Sequence, residues 1–315
     1  MLPALFKRLV LLGLLAAAVS CSPAPSSSPP PTSTSDPATT SADPIKTIVL
    51  ADASKDPRKK IKRFQPLADY LATNLKEFDI TAGEVQIAPD LETIIQWLKE
   101  GKVDLYFDSP YPAMLAIEQA GAKPILRRWK NGDAEYYTII FTMADREIDS
   151  LADLRGKMVA FDDERSTTGY MLPLAHFLEA GLEPVEKSAV NVTLAEDEVG
   201  YVFSNDDDNT TEWVISGKTT AGALDIQTFE KIPEEIRAKM KILAESEKVA
   251  RNIVLVRADM DPEQIEAIKA ILLAMDKNPE GQAVLKQFRT AKFDYFPKEA
   301  GLTRMEEIYN RIQNR

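Results

Sequence analysis

Short apolar runs alternate with amphipathic segments along most of this 315-residue chain. The apolar and β-branched runs Thr47–Leu50, Val103–Phe107 and Asn191–Leu194 predict strands, and Val103–Phe107 is expected to be buried. In contrast, Leu91–Lys99 carries apolar residues three and four positions apart, which predicts a helix with one buried face. Strands and helices that alternate in this way are typical of an α/β fold.

Two of the predicted strands, Tyr136–Thr142 and Asn252–Arg257, bracket a long stretch that contains further strands and helices. We expect that stretch to form a second lobe, reached by two crossing segments, with a cleft between the lobes. The predicted boundaries assign residues 44–138 and 255–315 to lobe 1, and residues 139–254 to lobe 2.

The N-terminus has the pattern of a secretory signal. Lys7 and Arg8 precede an apolar run, Leu9–Ala18, which is too short for a permanent membrane-spanning helix. The run ends in small residues directly before Cys21, the single cysteine of the chain. This arrangement resembles a bacterial lipobox and predicts a lipoprotein signal peptide over residues 1–20 and lipidation of Cys21. The alternative is an ordinary signal peptide with a cysteine nearby.

Residues 21–43 are rich in Pro, Ser and Thr, so they predict a disordered tether. A lipidated end and a tether predict a domain held at the membrane surface in the cell envelope, on the periplasmic or extracytoplasmic side. The formal net charge of −11 argues against nucleic acid as a partner. We interpret the basic stretch Arg58–Arg63 as a solvated face; the alternative is that it draws anions towards a site.

The most informative segment is Leu151–Ala175, in which a predicted strand leads into a helix that starts with Ser166-Thr167-Thr168-Gly169. The first amides of a helix have no partner within it and carry partial positive charge, so they suit an oxyanion. Hydroxyl groups add donors, and glycine permits close approach to the backbone. The alternative is an ordinary helix cap, because Ser and Thr are preferred capping residues.

Three stretches resemble the periplasmic binding proteins of the phosphate/phosphite/phosphonate ABC-transporter family. They are Tyr137–Thr168, which keeps a strand followed by LADLRGKMVAFDDERST, Val103–Ala116 (VDLYFDSPYPAMLA), and Gly217–Asp225 (GKTTAGALD). The resemblance implies a type II periplasmic binding protein fold, with two α/β lobes, two hinge strands and a ligand cleft between the lobes.

The resemblance also implies ligand contacts on both lobes. It assigns hydroxyl contacts to Ser166 and Thr167 and backbone amide contacts to Thr168 and Gly169. Across the cleft it implies the aromatic residues Tyr111 and Phe64, and it places Asp225 opposite the far end of the ligand. It implies no catalytic residue, no metal and no cofactor.

The chain departs from the family at one position. Family members commonly carry a histidine where this chain has the acidic run Asp206–Asp208. The single histidine, His176, follows the serine-threonine turn within a predicted apolar helix, and we interpret it as structural. Carboxylates repel an oxyanion, so this departure leaves the identity of the oxyanion open and admits a zwitterionic ligand.

The resemblance therefore implies a monomeric solute receptor that binds a small oxyanion and works with an ABC permease and its ATPase. One alternative is a ligand-sensing lobe for a membrane sensor kinase. Another is an enzyme on the same fold, similar to a thiamine-precursor synthase. The chain contains no G-x-S-x-G, H-E-x-x-H or P-loop motif, which argues against the enzyme.

Overall fold

The computed structural model describes residues 46–297 and 302–315. The predicted signal peptide (1–20), the lipidation site Cys21 and the tether (21–43) lie outside the described residues. Within the described part of the chain, no helix combines the length and the apolar character needed to cross a membrane.

The secondary structure follows the predicted alternation of strands and helices. The strands are β1 (Lys46–Ala53), β2 (Ile80–Ala88), β3 (Leu105–Asp108), β4 (Lys123–Lys130), β5 (Glu135–Tyr136), β6 (Thr138–Met143), β7 (Lys157–Phe161), β8 (Val185–Glu186), β9 (Val199–Phe203), β10 (Ala221–Asp225), β11 (Met240–Glu245), β12 (Val249–Ala250), β13 (Ile253–Val256) and β14 (Thr290–Asp294). The helices are α1 (Pro57–Asn74), α2 (Leu91–Lys99), α3 (Pro110–Ala120), α4 (Leu172–Glu179), α5 (Asp207–Ile215), α6 (Ile226–Glu230), α7 (Glu234–Arg237), α8 (Pro262–Ala274), α9 (Pro279–Gln287) and α10 (Leu302–Gln313).

Lobe 1 is built on a six-stranded sheet with the order β14-β4-β13-β3-β1-β2. Its central strands are buried on both faces, because successive side chains of a strand point to opposite sides. On β1, Ile48 and Leu50 pack in a core with α1, α8 and α9, whereas Val49 and Ala51 pack in a core with α2 and α3. This two-sided burial explains the continuous apolar run that predicted the strand.

Lobe 2 is built on a second six-stranded sheet with the order β11-β6-β10-β7-β9-β8. Strand β7 is parallel to β9 and β10, and its carboxyl end leads to the serine-threonine turn. Helix α4 covers one face of this sheet, while Val214 of α5 packs against Phe141 on the other face. The sheet thus fixes the start of the turn within lobe 2.

Two crossing segments join the lobes. Their strands β5 and β12 pair antiparallel, with Val249 opposite Tyr136 and Ala250 opposite Glu135. Strand β13, which follows β12, belongs to the sheet of lobe 1 and begins at Ile253. The sequence-predicted boundary after residue 254 therefore lies inside β13.

Three local predictions differ from the structure. The predicted strand Asn191–Leu194 is wrong: this segment is a loop, and the Leu194 side chain packs over Gly200 of β9. The predicted strand Tyr136–Thr142 is divided between β5 and β6. Strand β4 was not predicted, because its sequence KPILRRWK carries charged residues on both faces.

The last helix, α10, contacts both lobes. Its Tyr309 hydroxyl donates a hydrogen bond to Glu118 of α3 in lobe 1. Arg304 and Arg311 pair with Glu179 of α4 in lobe 2. Residues 255–315 were predicted to belong to lobe 1 as a whole, whereas this helix packs against the two lobes together.

Candidate functional site

The Ser166–Gly169 turn forms the start of a helical segment at the carboxyl end of β7. Ser166 is its N-cap, and the Ser166 Oγ accepts a hydrogen bond of 3.0 Å from the Gly169 amide. The segment continues as a π-helical turn, Thr167–Met171, before α4. The Thr167 and Thr168 amides are the first two of this turn, and such amides have no partner within a helix. They remain suited to an anion.

The turn lies at the contact between the lobes. Thr167 is 2% exposed, and its Oγ1 accepts a hydrogen bond of 2.9 Å from the Tyr111 amide of lobe 1. The buried phenol of Tyr136, on the crossing strand β5, lies beside the hydroxyls of Thr167 and Ser109. Burial raises the pKa of Tyr136, so the phenol stays protonated at neutral pH. The turn, the hinge and α3 therefore meet at one place.

Carboxylates surround the turn on its lobe 2 side. A Cβ placed on Gly169 would lie 2.3 Å from the Cβ of Asp162, so only glycine fits here. Burial, together with the charges of Asp163, Asp206 and Asp225, raises the pKa of Asp162 to about 6, although Ser166 acts in the opposite direction. Each negative charge close to the turn lowers its affinity for an oxyanion.

Asp207, at the start of α5, belongs to the same group of carboxylates. Burial raises its pKa to about 7, and the charges of Asp162 and Asp225 contribute in the same direction. Asp207, within the acidic run Asp206–Asp208, therefore lies close enough to Asp162 beside the turn for the two charges to interact. The single histidine, His176, lies on α4 with its Nδ1 3.8 Å from Glu179, away from this group.

A cavity of about 250 Å³, the interlobe cavity, lies between the lobes next to the turn. Lobe 2 contributes Asp163 and Arg165, and the charged residues of lobe 1 in its lining are Lys55, Asp90 and Asp108. Two cations thus face three carboxylates. Arg165 also bridges the lobes, because its guanidinium donates to Glu92 of α2 at 2.9 Å. Arg165 was not among the residues that the sequence pattern predicted for the site.

A second cavity of about 210 Å³, the lobe-1 cavity, lies behind the first and shares Ala53 and Asp108 with it. Its other lining residues are Asp52, Lys60, Arg63, Phe64, Phe107, Arg128 and Lys130. Helix α1 contributes residues three and four positions apart, and β4 contributes residues two positions apart, so each element presents one face. The stretch Arg58–Arg63 is accordingly divided between this cavity and exposed positions.

The predicted contacts outside the turn have structural partners of their own. The Tyr111 ring is 8% exposed and lies 5.9 Å from the rings of Tyr170 and Tyr309. Phe64 packs edge-on against Phe288 at 4.7 Å while it also lines the lobe-1 cavity. Asp225 caps α6 by accepting from the Thr228 amide and hydroxyl at 3.1 and 2.7 Å. Their contacts with a ligand stay predictions.

Sequence reasoning missed Asp162, Tyr136 and the cations of β4. Arg128 and Lys130 were visible as charges two positions apart in KPILRRWK, a spacing that puts them on one face of a strand. The segment was not predicted to be a strand, so that signal was not used. Within the described residues, no group of three or more His, Cys, Asp or Glu side chains is arranged to hold a metal ion.

The comparisons with known sequences agree with this architecture. A family model described as "ABC transporter, phosphonate, periplasmic substrate-binding protein" matches residues 50–298. The phosphate-import protein PhnD of Mycolicibacterium smegmatis is 26% identical over 276 residues, which cover 84% of this chain and 79% of that protein.

Solved structures are similar over the same range. XAC2383 from Xanthomonas citri, solved with chloride and with ATP, has a TM-score of 0.78, identities of 27% and 26%, and coverage of 85% of this chain and 98% of that chain. PhnD1 from Prochlorococcus marinus, solved with methylphosphonate, has a TM-score of 0.60 at 19% identity, over 86% of this chain and 99% of that one. The type II periplasmic binding protein fold is confirmed. The chain belongs to the periplasmic substrate-binding proteins of phosphonate ABC transporters.

Proposed function

We propose that this substrate-binding protein captures a small phosphorus oxyanion (a phosphonate, phosphite or phosphate) between its lobes and delivers it to an ABC permease and its ATPase. The observation that carries the proposal is the position of the Ser166–Gly169 turn, a helix start at the contact between the lobes. Relatives described as a phosphate-import protein and as a methylphosphonate complex support the ligand class.

Ligand capture works through closure of the hinge. The Thr167–Tyr111 hydrogen bond and the Arg165–Glu92 ion pair both join lobe 1 to lobe 2, so they form only when the lobes are together. A ligand that contacts both lobes shifts the equilibrium towards this closed state. The proposal requires no covalent chemistry and no cofactor, and it assigns the protein no catalytic role.

The proposed contacts on lobe 2 are the hydroxyls of Ser166 and Thr167 and the amides of Thr168 and Gly169; the Gly169 amide exchanges its bond to the Ser166 Oγ for one to the ligand. The carboxylates near the turn and in the interlobe cavity favour a ligand whose other end is cationic, because they attract an amine as they repel a second anion. Among simple phosphonates, 2-aminoethylphosphonate has this combination of charges. Tyr111, Phe64 and Asp225 remain the proposed contacts at the edges of the cleft.

We further propose that the protein acts as a monomer tethered at the outer face of a membrane through a lipid on Cys21. The sequence pattern of residues 1–43 supports this anchor. Replacing Cys21 by Ala is expected to move the protein from the membrane fraction to the soluble fraction of cells. Retention of the variant in the membrane fraction would contradict the anchor.

Calorimetry of the domain that starts at Pro44 tests the ligand class against phosphate, phosphite, methylphosphonate and 2-aminoethylphosphonate. We expect micromolar or tighter binding to at least one of them. The double variant Ser166→Ala/Thr167→Val removes two hydroxyl groups from the turn and is expected to weaken that binding by at least about tenfold, or about 1.4 kcal/mol.

The matched control is Thr73→Val/Ser216→Ala, which removes two exposed hydroxyls elsewhere. This control is expected to leave the affinity within about twofold of wild type, since surface changes of this kind cost little. Binding of none of the four ligands would overturn the ligand class. Equal affinities for the turn variant and the control would overturn the assignment of the turn.

A further inference from the structure

The lobe-1 cavity carries an excess of positive charge. Its charged lining comprises four cations and two carboxylates: Lys60, Arg63, Arg128 and Lys130, against Asp52 and Asp108. Both carboxylates are already engaged. Asp52 pairs with Lys60, and Asp108 accepts hydrogen bonds from the Tyr106 hydroxyl and from the Ser109 amide. The donors to Asp108 are neutral, so its charge still opposes the three other cations, and the lining keeps an excess of two positive charges, four cations against two carboxylates.

Two consecutive arginines of β4 differ in whether they have a carboxylate partner. Arg127 points to one side of the strand, where it pairs with Asp294 at 2.8 and 2.9 Å and with Glu135 at 2.9 Å. Arg128 points to the other side and is only 4% exposed, yet its nearest partners are neutral. They are Thr290 Oγ1 at 2.7 Å, the Phe288 carbonyl at 2.7 Å and Asn252 Oδ1 at 3.4 Å.

A guanidinium has five N–H donors, so these three acceptors leave two donors of Arg128 for the cavity that it lines. Burial of an unpaired cation is costly, and it lowers the pKa of Arg128 to about 9. Burial, together with the charges of Arg251 and Arg128, lowers the pKa of Lys130 to about 8. Within residues 46–297 and 302–315, neither Lys130 nor Arg63 has a carboxylate at ion-pair distance.

We propose that the lobe-1 cavity is an anion site for a compact, doubly charged oxyanion, either inorganic phosphate or the phosphoryl group of a larger ligand. Arg63, Arg128 and Lys130 hold it, since the guanidinium fork and the ammonium group are the side-chain donors best suited to phosphoryl oxygens. This site goes beyond the proposed function, because no residue of the Ser166–Gly169 turn lines it, and Phe64 is the one proposed cleft contact that it includes.

The dimensions of the cavity fit this ligand. Its volume of about 210 Å³ is below the range of roughly 300–1,000 Å³ that is usual for drug-sized organic ligands, and it holds several waters or one hydrated oxyanion. Phe64 and Phe107 form an apolar wall, which lowers the local dielectric constant and strengthens the attraction between the cations and an anion. The residues shared with the interlobe cavity, Ala53 and Asp108, provide a route from the cleft.

Calorimetry with inorganic phosphate and with 2-aminoethylphosphonate tests the site in the domain that starts at Pro44. The double variant Arg63→Gln/Lys130→Met removes two cations from the cavity and leaves the buried Arg128 network intact. We expect phosphate affinity to fall by at least about thirtyfold. The matched control Lys59→Gln/Lys62→Gln removes an equal number of positive charges from exposed positions of α1. It is expected to change phosphate affinity by less than about threefold.

If Arg63→Gln/Lys130→Met loses affinity for both ligands equally, the cavity accepts the phosphoryl group of a larger ligand. If it loses affinity for phosphate alone, the free ion is the occupant. Equal phosphate affinities for the cavity variant and the control, or no phosphate binding by the wild type at millimolar concentration, would overturn the proposal. Lys130→Arg retains the charge and should bind like wild type, which separates loss of the site from misfolding. Loss of binding in Ser166→Ala/Thr167→Val alone would support the proposed function and contradict the cavity.

Discussion

The Ser166–Gly169 turn and the lobe-1 cavity are the two proposed anion sites, and they differ in the groups that they offer to an anion. The turn offers backbone amides and hydroxyls, and its surroundings are acidic, with Asp162 against Gly169 and Asp207 nearby. The cavity offers full positive charges, and its two carboxylates are already engaged.

This difference teaches that a helix start and a cationic cavity select anions differently. Aligned amides bind an oxyanion through directed hydrogen bonds and favour a definite shape. Buried cations respond mainly to charge, and they bind a dianion more tightly than a monoanion. A protein that has both regions can therefore separate recognition of shape from recognition of charge.

The largest effect is expected from the two arginines of β4. Arg127→Met should lower the free energy of unfolding by about 3 kcal/mol in phosphate-free buffer, because Asp294 and Glu135 lose their partner. Arg128→Met should cost less, since no paired carboxylate is left behind. Chemical denaturation measures both values. An equal or larger loss of unfolding free energy for Arg128→Met in phosphate-free buffer would contradict the proposal that Arg128 is an anion-binding residue.

The next effect concerns pH and the carboxylates near the turn. The folded-state pKa values of Asp162 and Asp207, about 6 and about 7, lie above the ordinary value near 3.8. Between pH 4 and pH 7 the folded protein therefore binds more protons at these two groups than the unfolded chain does. Stability from these groups is therefore complete below pH 4 and is lost as the pH rises through 6 to 7.

After a reduction for partial exposure and mutual coupling, we expect this loss to be on the order of 2 kcal/mol. The part that is due to Asp207 is measured as the difference in unfolding free energy between Asp207→Asn and wild type, followed from pH 5 to pH 8. The variant should gain relative to wild type as the pH rises. A difference that stays constant with pH would show that Asp207 is not in an unfavourable environment.

The smallest effect is on ligand affinity at the turn. Asp162→Asn removes one negative charge beside Ser166 and Gly169, so the best oxyanion ligand should bind about tenfold more tightly at pH 8, or about 1.4 kcal/mol. Asp208→Asn is the control, because it removes the same charge from an exposed position of α5. Equal gains for both variants would indicate a general charge effect, and no gain for Asp162→Asn would mean that the anion binds away from the turn.

Local sequence patterns predicted most elements and the chemistry of the turn. The apolar spacing in Leu91–Lys99 gave α2 with its bounds, and the Ser166 cap is visible in the sequence because capping depends on neighbouring residues. The two crossing segments were also predicted, because two strand-like stretches, Tyr136–Thr142 and Asn252–Arg257, bracket the part of the chain that forms lobe 2.

Features that depend on distant contacts were not predicted. The lobe-1 cavity combines α1 with β4, which are far apart in sequence. The neutral partners of Arg128, Thr290 and Phe288, are also distant in sequence, so the absence of a carboxylate partner cannot be predicted from the local pattern. Asp162 is adjacent to the turn in sequence, but its closeness to Asp207 and Asp225 arises from the sheet order of lobe 2. The loop at Asn191–Leu194 has strand-like residues, and it fails to form a strand because Leu194 packs over β9 instead.

Helix α10 has a mechanical consequence. It grips α3 through Tyr309 and α4 through Arg304 and Arg311, and those two helices belong to lobes that must separate when the ligand leaves. Opening therefore has to break or shift one of these contacts, so α10 opposes separation of the lobes. Because these contacts oppose opening, substitutions in α10 are expected to change the rate of ligand release without altering a residue that is proposed to contact the ligand.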